Sequence, residues 1–113
     1  MMVGRVALAS GAVIATFSAA IVWAQTAPST PELRAAWSTY LTQCSQCHGD
    51  DAKGTAAAAN LRAFKGSEDD FLRIVREGRP GTGMTPWKGL IPDDEIRNMA
   101  RYIKQLSGAS DRK

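Results

Sequence analysis

The sequence predicts an all-α fold of three principal helices joined by glycine- and proline-rich loops. Three observations carry that prediction. Apolar residues recur at three- and four-residue intervals in three separate stretches. Each stretch opens on a helix-start signal: Thr30-Pro31-Glu32, Ser67 followed by three acids, or Pro92 followed by three acids. No run shows the two-residue alternation of a half-buried strand. With 113 residues, the chain has room for one small domain.

The first element follows a short polar linker, assigned to residues 25–31, and the domain proper to residues 32–108. Thr30 suits the N-cap, Pro31 the first helical position, and Glu32 the positive end of the helix dipole. Leu33, Trp37, Tyr40, Leu41 and Cys44 then form the apolar stripe, with Trp37 and Tyr40 read as core packing. Gly49 to Gly54 is turn-rich. Ala56 to Ala59 favours helix by propensity but is too short and featureless to assign. Asn60-Leu61-Arg62-Ala63-Phe64 offers Leu61 and Phe64 as apolar side chains able to wall a bound group.

The second helix opens at Ser67 with Glu68, Asp69 and Asp70 in its first turn, buries Phe71, Leu72, Ile74 and Val75, and stops at Gly78. Residues 79–89 follow, where Pro80, Gly81, Gly83, Pro86 and Gly89 exclude both a helix and a central strand. Met84 stands inside this loop. A methionine normally fills gaps on regular elements, so its place among glycine and proline marks it as a candidate for chemistry. The last helix runs from Pro92-Asp93-Asp94-Glu95 through Ile96, Met99, Ala100, Ile103 and Leu106, with Tyr102 beside the stripe and Ser107-Gly108 as its end. Met99 belongs to this regular stripe and is expected in the core. Residues 109–113 are expected to be loose.

Residues 1–24 carry one charge, Arg5, ahead of an Ala- and Val-rich run that closes on Val22-Trp23-Ala24. The pattern predicts an export signal cut before Gln25; an uncleaved anchor is the competing reading, because the apolar run approaches the ~20 residues that span a bilayer. The formal charge of +3 for the whole chain falls by one without that segment. Acids and bases are interspersed, as in Glu68-Asp69-Asp70 with Arg73 and Arg76, which excludes the single-sign block of a nucleic-acid binder.

Both cysteines and the single histidine of the chain fall in Cys44-Ser45-Gln46-Cys47-His48. C-x-x-C-H is the attachment signature of c-type haem. On a helix, positions i, i+3 and i+4 share a face, so both sulfurs and the imidazole meet one partner. A Cys44–Cys47 disulfide would close almost no loop and constrain the unfolded chain little. A thioredoxin-like dithiol wants a βαβ context that is missing, and structural zinc wants a fourth ligand; both stay open as alternatives. A domain of about 90 residues is only marginally stable alone. A flat apolar cofactor between the helices would supply the missing core.

From about Leu33 to Leu106 the chain resembles the class I cytochromes c. The resemblance rests on Cys44 to His48 after an amphipathic helix, the Asn60-Leu61 segment, Met84 in its Gly/Pro loop, and a closing helix bearing Tyr102. It implies N- and C-terminal helices crossed around one covalent haem c, with Tyr40 and Leu41 facing Ile103. It also implies thioethers at Cys44 and Cys47, His48 as proximal and Met84 as distal iron ligand. Many relatives place Gly-Pro before Asn-Leu, where a backbone carbonyl accepts from the ring N–H of the proximal histidine; here those positions are Ala58-Ala59, and a carbonyl can still serve.

The resemblance further implies a monomeric, periplasmic one-electron carrier without enzymatic activity of its own. It would work between a donor dehydrogenase or complex and a terminal oxidase or another cytochrome, with membrane contact only through an uncleaved N-terminal segment. Residues 79–87 are similar to the ligand loop of small cytochromes found beside quinoprotein dehydrogenases. Lys53, Lys65 and Lys88 are candidates for steering an acidic partner. A haem enzyme or gas sensor with an open iron position, and a haem-free thiol redox protein, are the competing functions.

Overall fold

A computed structural model of the chain describes residues 27–110 and, outside them, only Gly4 and residues 10–12. Most of the expected export signal and residues 111–113 lie outside the described residues. Among the described residues the structure is all-α, with no strand. The order is α1 (Pro31–Gln43), α2 (Ser45–His48), a 3₁₀ turn (Leu61–Ala63), α3 (Glu68–Glu77) and α4 (Asp93–Ser110). No helix among the described residues is long and apolar enough to cross a membrane.

Helix starts follow the caps. The Thr30 hydroxyl accepts from the Leu33 N–H at 3.2 Å, with Pro31 at the first helical position. Ser67 and Asp70 form a full capping box at α3: the Asp70 N–H donates to Ser67 Oγ at 3.1 Å, and Asp70 Oδ2 accepts from the Ser67 N–H at 2.9 Å. The Ser67 backbone N–H thereby holds the Asp70 carboxyl below the usual carboxylate range. A depressed carboxyl pKa contributes stability above its unfolded value and loses it as the pH falls through the folded one. The Ser67 hydroxyl also donates to Asp70 Oδ2 at 2.8 Å. Ser67→Ala keeps the backbone bond but removes this one and the cap, and is expected to cost about 1 kcal/mol through the lost cap in urea unfolding near neutral pH. The difference should shrink below the range in which carboxylates titrate.

α1 packs against α4, and α3 packs against α4 from another side. The core is Ala36, Tyr40, Phe71, Leu72, Val75, Ile91, Ile96, Met99 and Ile103, joined by Ala52 from the loop after α2. Trp37 stacks on Tyr40 with ring centroids 4.3 Å apart and meets Tyr102 of α4 edge-on at 4.7 Å. The Thr39 hydroxyl bonds Glu95 across the same helix pair. Arg97 and Arg101 reach Glu68 at 3.4 and 2.8 Å, and Arg97 reaches Asp69 at 2.7 Å, tying α3 to α4 at the surface.

Two expectations are corrected. Leu41 is not on the packed face: it is 42% exposed and stands outside the core that holds Tyr40 and Ile103. At 100° per residue Leu41 lies about 80° from Leu33, beyond the edge of the stripe. Ala36 of the same helix is instead fully buried in the core that holds Tyr40 and Ile103. The last helix also does not stop at Ser107-Gly108 but runs to Ser110. Glycine ends a helix when it adopts positive φ, and Gly108 is not among the residues with positive φ.

Candidate functional site

The turn Ser45–His48 continues α1 after a break at Cys44, whose carbonyl accepts from the Cys47 and His48 N–H groups at 3.2 and 3.0 Å. The i, i+3, i+4 arrangement that the spacing predicts is therefore formed. Cys44, Cys47 and His48 all line one cavity of 740 Å³. Tyr40, Leu61, Phe64, Phe71, Ile74, Val75, Trp87 and Met99 supply most of its apolar wall, and Met84 joins them from the opposite loop. Leu61 and Phe64 wall the cavity as the sequence predicts.

Tyr40 is fully buried, and its hydroxyl donates to the Gly49 carbonyl at 2.6 Å, joining α1 to the turn that follows His48. Burial pushes this phenol above its ordinary pKa. Burial also raises the Cys44 thiol to about 11, with a contribution from Cys47, so without a bond to its sulfur Cys44 is a protonated thiol at neutral pH. The two cysteines are not joined to each other.

His48 Nδ1 lies 2.9 Å from the Ala59 carbonyl. A carbonyl only accepts, so Nδ1 carries the proton and Nε2 keeps the lone pair. That tautomer leaves Nε2 as the nitrogen able to bind a metal. The segment that brings Ala59 to His48 is not helical. Residues 56–58 form a bend, with the Thr55 N–H donating to the Ala58 carbonyl at 3.0 Å.

Met84 is positioned through the end of α3. Trp87 and Lys88 donate their N–H groups to the Val75 and Arg76 carbonyls at 3.0 and 3.2 Å, filling acceptors that the last helical turn leaves open. The Arg79 N–H donates to the Met84 carbonyl at 3.0 Å, and Thr82 Oγ1 accepts from the Met84 N–H at 3.2 Å. Gly78 permits this closure: its φ is 69° and ψ −171°, and a Cβ there would stand 2.6 Å from the Met84 carbonyl oxygen.

These residues fit haem c: two thiols and one correctly protonated imidazole stand on one wall of a mostly apolar cavity, and a thioether stands on another. Met99 is buried in the α4 stripe as expected and also reaches the cavity wall. Two lining cations, Lys65 and Arg79, were not singled out by the sequence as cavity residues. Nothing in a single charged side chain on a loop announces which cavity it borders. Of the three lysines proposed for steering, Lys53 pairs with Asp51 at 3.8 Å, Lys65 borders this cavity, and Lys88 borders a separate surface groove with Arg73 and Arg76.

A family model described as cytochrome c oxidase, cbb3-type, subunit III matches residues 31–103. The cbb3-type cytochrome c oxidase subunit FixPc of Rhizobium leguminosarum bv. viciae is 34% identical over 101 residues, covering 81% of this chain and 34% of that protein. Subunit CcoP of Rubrivivax gelatinosus is 34% identical over 76 residues, covering 62% of this chain and 24% of its own length. The chain thus spans about a third or less of these relatives. Among solved structures, the c-type cytochrome NirC superposes with a TM-score of 0.57 at 26% identity, over 67% of this chain and 92% of that one.

Proposed function

Because the chain belongs to the family of cytochrome c oxidase, cbb3-type, subunit III, a family of c-type cytochromes carrying covalent haem c, we propose that it is a one-electron carrier on the periplasmic side of the membrane. Residues 1–24 act as its export signal, with an uncleaved anchor as the alternative, and residues 32–108 form the electron-transfer domain. The observation that carries the reading is the convergence of Cys44, Cys47, His48 and Met84 on one apolar cavity.

Cys44 and Cys47 hold the cofactor through thioethers. His48, with Nδ1 held by the Ala59 carbonyl and Nε2 free, and Met84 from the loop after α3 would supply the side chains that ligate the haem iron. When bound, haem c supplies a one-electron ferric/ferrous couple whose potential a His/Met pair raises. The apolar wall from Leu61 to Met99 keeps water away, and the pinned loop around Met84 limits reorganisation between oxidation states. Lys65 and Arg79, which line the cavity, would pair with the carboxylates of the cofactor.

The donor is a dehydrogenase, a quinoprotein among the candidates, or a membrane complex. The relatives' names favour a cbb3-type oxidase as acceptor. With His48 and Met84 both committed to the iron in this reading, the site suits electron transfer rather than turnover of a substrate.

A haem stain of the denatured protein is expected to be positive, since thioethers survive denaturation; a negative stain would leave a thiol redox protein. In Met84→Ala the midpoint potential should fall by on the order of 0.1 V. Carbon monoxide should then bind the reduced variant rapidly, and the wild type slowly. An unchanged spectrum and potential in the variant would remove Met84 from the iron, and rapid binding by the wild type would turn the reading toward a gas-binding protein.

A further inference from the structure

The carbonyl that orients His48 belongs to a run of four alanines, Ala56 to Ala59, with no proline to fix a φ angle and no polar side chain to hold a turn. Its ends are secured by backbone bonds. The Gly54 N–H donates to the His48 carbonyl at 2.8 Å, and the Leu61 and Arg62 N–H groups share the carbonyl of the buried Ala52 at 2.9 and 3.3 Å. Gly54 itself lies so close to the run that a Cβ there would stand 2.7 Å from the Asn60 nitrogen and 2.9 Å from the Ala59 carbonyl carbon.

Between these ends one side chain joins the run to the cysteine turn. Thr55 Oγ1 donates to the Cys47 carbonyl at 2.5 Å and accepts from the Ala57 N–H at 3.0 Å, while the Thr55 N–H donates to the Ala58 carbonyl at 3.0 Å. The alanine run therefore meets the turn at two adjacent residues, through Thr55 at Cys47 and through Ala59 at His48.

We propose that Thr55 is a positioning residue that aims the Ala59 carbonyl at the His48 ring and thereby lowers the redox potential. The inference rests on the reading of His48 as an iron ligand. A strong hydrogen bond from Nδ1–H makes the ligating imidazole more basic and favours the oxidised metal. A looser Ala59 weakens it and favours the reduced one. Direct outer partners of metal-bound histidines matter roughly 10–100-fold; a residue one step further out should act by a few-fold.

The test compares holoprotein carrying Thr55→Val, Thr55→Ser or Thr42→Val with wild type. Thr42 likewise bonds backbone carbonyls, on α1, and controls for loss of a threonine hydroxyl elsewhere. Spectroelectrochemistry of Thr55→Val should show an upward midpoint shift, read as a few-fold rise in the reduced-to-oxidised ratio at the wild-type midpoint. Its His48 ring N–H should exchange faster by NMR, and Thr55→Ser and Thr42→Val should match wild type. A wild-type midpoint and ring exchange in Thr55→Val, or no rescue by serine, would overturn the proposal. If Thr55→Val yields no holoprotein, amide exchange of the wild type decides: slow exchange at Thr55 and Ala57 supports the bracket, and unprotected rates at both refute it. A reduced wild type with no histidine ring resonance shifted by the porphyrin ring current would instead remove the ligand assignment, and this inference with it.

Discussion

The double variant Cys44→Ala/Cys47→Ala is expected to lose covalent haem entirely and to lack a cooperative thermal transition. The magnitudes decide this. An unfilled apolar void costs roughly 24 cal/mol per Å³, which for a cavity of 740 Å³ is on the order of 18 kcal/mol. The net stability of a whole domain is only about 5–15 kcal/mol. Collapse and entry of water at the open side would recover much of that cost. Even a third of it would consume most of the stability of a domain this small. The cavity also lies between all the packed elements: Tyr40 comes from α1, Leu61 from the 3₁₀ turn, Phe71 and Val75 from α3, and Met99 from α4. With no tethered cofactor, the contact between α1 and α4 through Ala36, Trp37, Tyr102, Ile103 and the Thr39–Glu95 bond would have to hold the fold beside an unfilled cavity. Far-UV circular dichroism against temperature checks the expectation. A variant with wild-type helix content and a sharp melt would show that the helices carry the fold unaided.

What could be read from the sequence was local, and what could not was relational. Thr30 and Ser67 mark helix starts because a cap satisfies N–H groups two or three residues away, within reach of sequence inspection. Cys44 to His48 announces a cofactor for the same reason, since one helical turn brings two thiols and an imidazole to one face. Leu41 departs from the expected stripe because a pattern of large apolar residues overlooks a small one: Ala36 is fully buried while Leu41 is exposed. Gly108 was misplaced because a glycine does not declare its own φ. The carbonyl of Ala59 was anticipated by resemblance alone, because a backbone oxygen has no letter in the sequence. Ala52, buried with φ of 61°, had no sequence signal at all. Met84 could be suspected from its odd place in a Gly/Pro loop, but the bonds that hold that loop to α3 run between backbone atoms.

Gly78→Ala is expected to open the site by moving the Met84 backbone while leaving the Met84 side chain unsubstituted. The φ of 69° with ψ of −171° lies in a region that is essentially restricted to glycine. The new Cβ would also meet the Met84 carbonyl oxygen at 2.6 Å and the Pro86 nitrogen at 2.9 Å. These are backbone atoms, so the clash is relieved only by moving the chain. Relief displaces the Arg79–Met84 closure and the Trp87 and Lys88 bonds that end α3. Strain and overpacking together should cost about 2–4 kcal/mol. Haem attachment, assigned in the proposed function to Cys44 and Cys47, should persist, and the haem stain should stay positive. The distal thioether should not hold, so reduced Gly78→Ala should bind carbon monoxide rapidly at neutral pH, as Met84→Ala does. The comparison between the two variants is the decisive part. If Gly78→Ala keeps a wild-type potential and excludes carbon monoxide while Met84→Ala does not, the methionine reaches the iron without needing the geometry that Gly78 permits. If both open the site, the loop pinned to the end of α3 is what keeps the sixth position closed.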